Sequence, residues 1–258
     1  QKIERSYRMN KTGVWEVQKV EELKMTNKVF PTVHQLVDQV EQTQQENIEA
    51  AAQAVAQCII DGGIIQAWGG GHSMAGAMEV AHRAGGFIPT KKIVEPSNNA
   101  YETVERAGEV FMKKVDVRPG DVVFIISNSG RNPLCMDIAL GCKKKGAKLI
   151  AITALEASSH LKPKHSCGKN LYEISDIVLD NCTPEGDCCI DLEGFDGKIC
   201  GMSMITTSVL VQAVTYRAAE ILIEKGITPP IYKSQNIDGG REFNESLEAQ
   251  YIERLYRI

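Results

Sequence analysis

From residue 33 onward, apolar and polar positions fall into two rhythms. Leu36, Val40, Ile48, Ala51, Val55 and Ile59 keep helical spacing opposite a face rich in Gln and Glu, which predicts one helix over 33–60. Pro31 breaks the chain before it and Asp61-Gly62-Gly63 stops it. The period then changes. Short apolar runs at 64–68, 91–95, 122–126, 148–153 and 176–180 read as strands, and "VVFII" at 122–126 is continuous and β-branched, as in a strand buried on both faces of a parallel sheet. Between them the pattern predicts helices over 73–84, 101–114 and 133–145, and a last long helix over 203–225 that ends at Gly226.

Strand and helix alternate, so the expected class is α/β, with a doubly wound, five-stranded, mostly parallel sheet flanked by helices. Residues 1–32 are polar and weakly patterned and read as an N-terminal extension or docking arm; 33–258 reads as a single domain. Ligands of such sheets bind outside the carboxyl ends of the strands. This selects 69–73, 127–132, 154–166 and 181–187 as the segments to search.

Composition narrows the classes. The chain has 258 residues, 43% apolar and 24% charged, ordinary for a globular protein. A formal net charge of −4 and the lack of a long basic run argue against a nucleic-acid partner. No apolar stretch reaches eighteen residues, so no membrane partner is expected. Eight cysteines, two of them adjacent (Cys188, Cys189), without an apolar leader, fit a reducing compartment, and the expected location is the cytoplasm. Cys182, Cys188, Cys189 and Cys200 contain no C-x-x-C pair, and no metal site is expected.

Two strand-to-helix loops carry the chemistry. In "FIISNSGRNP" (124–133), Pro133 suits a first helical position and Asn132 an N-cap, while Lys143–Lys145 and Gly146 close the helix. Ser127, Asn128, Ser129 and Gly130 then form a tight connection at a helix N-terminus. Free backbone N–H groups and the helix dipole there favour an anion, of which phosphate is the natural example; the alternative is a polar capping turn. "GGGHS" (69–73) also follows a strand and opens a helix, with Ser73 near its N-cap. No Lys-Ser/Thr follows, so it is not a P-loop, and Met74 stands where a dinucleotide fingerprint needs its third glycine. No cofactor is therefore expected.

The pair of loops resembles the SIS (sugar isomerase) domain, whose members hold phosphosugars on serine- and threonine-rich loops after the first and third strands. "FIISNSGRNP" looks like that family's third-strand loop, and "GGGHS" like the glycine-serine loop of its phosphoheptose isomerase branch. "GKNLYEISDIVLDN" (168–181) and "SQNIDGGREFN" (234–244) look like an uncharacterised bacterial group of SIS proteins of this length. The resemblance implies a phosphorylated sugar as partner, a homodimer or homotetramer, and Ser73, Ser127, Asn128, Ser129 and Asn132 as phosphate ligands. It implies as activity a sugar-phosphate isomerase or epimerase working through an enediol, with an amino-sugar-phosphate etherase or lyase and a non-catalytic sensor as alternatives.

An isomerase must move a proton between adjacent carbons, which takes a carboxylate or histidine and a second group for the hydroxyl proton. Glu79 and His82, three apart in the helix after Ser73, would share a face, either for catalysis or for a mutual hydrogen bond. In the phosphoheptose isomerases and the etherases a functional glutamate lies ten residues after the loop serine; here that position is Arg83. Arg131 resembles the arginine of the etherase "SGRTP" and would clamp a carboxylate, or else is a solvated loop charge. Glu185 and Asp187 in "NCTPEGD" would do acid–base work, bind sugar hydroxyls or solvate a turn. His72, a further catalytic candidate, and Gly71, a substrate contact, sit inside the glycine loop, facing the ligand in this reading. His160 and His165 follow the fourth strand, and Asp238 lies in a turn-rich segment placed to reach a site, its own or a neighbour's. Helices 33–60 and 203–225 are the expected subunit contacts.

Overall fold

The run Val122–Ile126 lies at the centre of a five-stranded sheet and is buried at every position. The computed structural model describes residues 6–13, 15–18 and 28–257. In chain order the elements are a hairpin, β1 (Ser6–Met9) and β2 (Trp15–Gln18), then helices α1 (Val29–Thr43) and α2 (Gln45–Ile60). The sheet strands are β3 (Ile65–Gly69), β4 (Thr90–Lys92), β5 (Val122–Ile126), β6 (Lys148–Thr153) and β7 (Ile177–Asp180). Between them lie α3 (Met74–Val80), α4 (Ala107–Met112), α5 (Pro133–Lys144), α6 (Leu155–His160) and α7 (Leu171–Ile174). A second hairpin, β8 (Cys188–Asp191) and β9 (Lys198–Gly201), leads into α8 (Ser203–Glu224), and α9 (Gly240–Glu248) and α10 (Ile252–Leu255) follow.

The sheet order is β4-β3-β5-β6-β7, and every pairing is parallel, so the expected "mostly parallel" sheet is wholly so. Strand alternation sorts the core into two layers. Phe124, Ile126, Ile150, Ile152 and Leu179 pack beneath α2 and α8. Val123, Ile125, Leu149 and Ala151 pack beneath α5 and α7 on the other face. Parallel strands with both faces covered are the reason the sequence shows unbroken apolar runs rather than alternation.

The helices depart from the sequence pattern where polar groups intervene. The predicted helix 33–60 is two helices, divided at Gln44. Gln44 is buried, and its Oε1 accepts the Asp180 backbone N–H at 2.9 Å, so the break turns a polar side chain onto the end of β7. Pro31 lies within the first turn of α1 rather than ahead of it, a position where its missing N–H costs nothing. The predicted helix 101–114 contracts to α4, because Arg106 takes a left-handed conformation (φ 74°) and residues 101–106 form turns. The predicted helix 73–84 becomes a 3-10 turn, Gly71–Ser73, and the short α3. Nearly half of the predicted extension, 1–5, 14 and 19–27, lies outside the described residues. Among the described residues no helix is long and apolar enough to cross a membrane.

Candidate functional site

Gly69 ends β3, and a Cβ there would stand 2.1 Å from the Ser73 carbonyl oxygen. Only glycine lets the 3-10 turn fold back over the strand end and carry Ser73 above the sheet. Beside it, β5 ends at Ile126 and the chain makes the 127–132 loop before Pro133 opens α5.

Neighbouring elements orient that loop through its carbonyl groups. The Asn128 carbonyl accepts from Thr153 Oγ1 (2.9 Å) and the Ala154 N–H (3.2 Å). The Ser129 carbonyl accepts from Ser158 Oγ (2.9 Å), and the Gly130 carbonyl from the Leu171 N–H (2.7 Å). In a planar trans peptide the following N–H points opposite to the carbonyl. The three carbonyls turned toward β6, α6 and α7 therefore aim the amides of Ser129, Gly130 and Arg131 the other way. The Gly130 N–H bonds Ser127 Oγ at 3.2 Å; those of Ser129 and Arg131 donate to no group of the described residues. Gly130 is required twice, by its φ of 57° and by Leu171 Cβ, which would lie 3.1 Å from an added Cβ.

Side-chain orientation is equally determined. Asn181, fully buried after β7, accepts the Thr183 N–H (3.1 Å) and hydroxyl (2.7 Å) on its Oδ1. A backbone N–H can only donate, so Asn181 must present Nδ2 to Asn128, whose Oδ1 receives it at 2.7 Å. The Asn128 amide is thereby turned so that its own Nδ2 is left as a donor.

Around these groups lies a cavity of about 370 Å³. Ser73, Ser127, Asn128, Ser129, Arg131, Asn132, Glu185 and Asp187 all line it, drawn from three loops far apart in sequence. Arg131 Nε is buried and has no hydrogen-bond partner among the described residues. Glu102, which the pattern did not single out, enters from the turn before α4 and accepts from Asn132 Nδ2. Asn132 stands at the N-cap position, as expected, but its side chain does not cap the helix; it is committed to Glu102. Cys135 lies beneath the loop, and burial pushes its thiol up to about 12 against the opposing effect of Ser127, so it is no nucleophile.

The remaining predicted residues stand elsewhere. Gly71 lines a smaller neighbouring cavity, and His72 is exposed on the 3-10 turn. Glu79 accepts from Arg83 and from Gln212 Nε2 (2.6 Å). His82 lies past the end of α3 in a left-handed conformation (φ 58°), so the two do not share a helical face as the spacing suggested. Asp238 is exposed in the turn before α9 and does not line the cavity. Asp187 lines it, yet its Oδ1 accepts the N–H groups of Met202 (3.0 Å) and Ser203 (2.7 Å) and its Oδ2 the Ser203 hydroxyl (2.8 Å). It caps α8 from outside the helix. Glu185 is exposed and makes no hydrogen bond or ion pair within the described residues. Glu102 and Asn181 were missed because their roles depend on loops meeting in space; an Asn-x-Thr directly after a strand is the one local signal that pointed at the second.

Comparison with known proteins gives the same frame. The SIS domain model matches residues 30–154. The chain is 45% identical over 229 residues to UPF0309 protein lmo0025 of Listeria monocytogenes, covering 89% of this chain and 98% of that one. It is 37% identical over 240 residues to UPF0309 protein GK1441 of Geobacillus kaustophilus, covering 90% and 96%. Among solved structures, a phosphoheptose isomerase from Francisella tularensis superposes with a TM-score of 0.54 at 16% identity, over 78% of this chain and all of that one, a likeness of fold.

Proposed function

The chain belongs to the UPF0309 family of SIS domain proteins, and from that premise we propose that it binds a phosphorylated sugar in the Ser73–Asn132 cavity and isomerises or epimerises it through an enediol. The observation that carries this reading is the open N-terminus of α5. There the Ser129 and Arg131 amides, the Ser73, Ser127 and Ser129 hydroxyls and the Asn128 amide converge on a cavity of sugar-phosphate size. The phosphate sits in that cradle, and Arg131 Nε donates to it or to a second anionic group.

The carboxylates available to such a substrate are Glu102 and Glu185, since Glu79 is held by Arg83 and Gln212. One takes the proton from the carbon beside the carbonyl of the open-chain sugar. The bonding pair closes the enediol as the carbonyl oxygen gains a proton from the other; the first carboxylate then returns its proton to the former carbonyl carbon while the hydroxyl on the first carbon gives its proton to the second carboxylate, which yields the isomer and restores both groups. Asn132, bonded to Glu102, orients that carboxylate.

The test is a panel of sugar phosphates incubated with the protein in heavy water and followed by NMR. Deuterium at C2 of one member establishes enediol chemistry. Tight binding without exchange in any member favours the sensor reading. Exposed Ile205, Tyr216 and Ile223 on α8 support a homodimer through that helix, and light scattering at micromolar concentration that returned the monomer mass would refute it.

A further inference from the structure

A second cavity, of about 520 Å³, lies against the edge strand β4, between α4 and the carboxyl-terminal residues, and shares no lining residue with the candidate site. Gln66 lies at its base and is fully buried. Its Nε2 donates to the Asp116 carbonyl (2.9 Å) and to Asp121 Oδ2 (3.1 Å). Both partners can only accept, so the amide cannot be turned round. Its Oε1 is therefore a buried acceptor of fixed orientation, and it has no hydrogen-bond partner among the described residues. An unpaired buried acceptor is a standing cost that a ligand donor removes.

Lys91 pairs with Gln66 across the two strands and is only 4% exposed. It gives two N–H groups to the carbonyls of Arg254 (3.1 Å) and Arg257 (3.2 Å), which leaves the third. Burial pushes this ammonium down, so an anion beside it is favoured. Lys92, Lys114 and Arg257 also line the cavity, and among the described residues no acidic side chain does. The nearby carboxylates are already matched: Asp116 pairs with Arg118 at 2.7 Å, and Asp121 with Arg254 at 2.7 Å. Phe111 and Tyr256 supply ring walls.

We propose that this cavity is a second ligand site, for a small organic anion with an apolar body and one O–H or N–H donor. The anionic group meets Lys91 and Lys114, the body lies against Phe111 and Tyr256, and the donor reaches Gln66 Oε1. The cavity also touches Val94 and Pro96, where the chain leaves β4 for the turn that carries Glu102. Occupancy is thus placed to bias the position of a carboxylate in the first site.

The experiment titrates the full chain with 4-hydroxybenzoate and adenosine 5′-monophosphate, with inorganic phosphate as the charge-only control, and follows the methyl resonances of Ile93 and Val115. One organic probe should shift both methyls saturably. Charge reversal at the exposed Lys114 and Arg257 (Lys114→Glu with Arg257→Glu) should weaken its Kd at least about tenfold. The same variant should leave shifts of the Ser127–Asn132 amides by sugar phosphate unchanged. Three results overturn the proposal: no saturable shift with either organic probe, equal binding of inorganic phosphate, or an affinity indifferent to charge reversal.

Discussion

Residues that line one cavity meet two helix N-termini, and the two ends are treated oppositely. At α8 the chain supplies its own anion: the Asp187 carboxylate accepts two backbone amides and the Ser203 hydroxyl. At α5 it supplies none. Asn132, the residue in the capping position, turns its side chain to Glu102, and the amides of the loop before it face the cavity. The difference teaches that a helix start keeps free donors, and so can serve the proposed ligand, when no side chain of the protein caps it. The dipole and the free N–H groups are present at both ends, and what differs is whether a carboxylate of the same chain reaches them.

That contrast is open to direct attack. The largest effect is expected at the uncapped end. Ser129→Ala combined with Ser73→Ala removes two hydroxyl donors to a charged group, each worth about 1.5–3 kcal/mol, so sugar-phosphate affinity should fall at least about 100-fold. The melting temperature should stay near that of the parent, because neither hydroxyl donates a hydrogen bond within the described residues. Calorimetric titration showing unchanged affinity would remove phosphate from this loop.

The capped end should respond in the reverse sense. Asp187→Ala is expected to lower stability by about 1–2 kcal/mol, the cost of a lost cap, and to leave sugar-phosphate affinity within about twofold. A denaturant titration and a binding isotherm on the same variant separate the two. If affinity collapsed while stability held, Asp187 would belong to the ligand and the contrast between the two helices would be lost.

A subtler change sharpens the comparison. Asn181→Asp keeps the acceptor for Thr183 but can no longer donate to Asn128. The Asn128 amide should then rotate to give its Nδ2 to the new carboxylate, withdrawing one donor from the cavity. We expect about a fivefold loss of affinity, on the order of 1 kcal/mol, with the fold intact by circular dichroism. The Asn128 side-chain amide signal in NMR reports the rotation.

Much of this was legible in the chain itself. Unbroken apolar runs marked the strands, because a parallel sheet covered on both faces needs no polar side. The order of "GGGHS" and "FIISNSGRNP", each between a strand and a helix, placed two polar loops at one sheet edge, because right-handed strand–helix–strand units put every such loop at the carboxyl end. The requirement for Gly130 and the helix start at Pro133 were local matters of backbone conformation.

Tertiary structure decided which groups of those loops are left free. Glu79 and His82 looked paired by spacing, yet α3 ends at Val80 and the pair separates, because helix length is set by packing and not by spacing alone. Glu185 and Asp187 looked alike in sequence, and only the approach of α8 made one of them a cap. Glu102 entered the cavity because Arg106 breaks the helix that would have carried it, and Asn181 governs Asn128 from 53 residues away. Local sequence determines which backbone shapes and polar groups are available. Which of those groups remain unpaired, and so free to hold a ligand, depends on neighbours that only the folded chain brings within hydrogen-bonding distance.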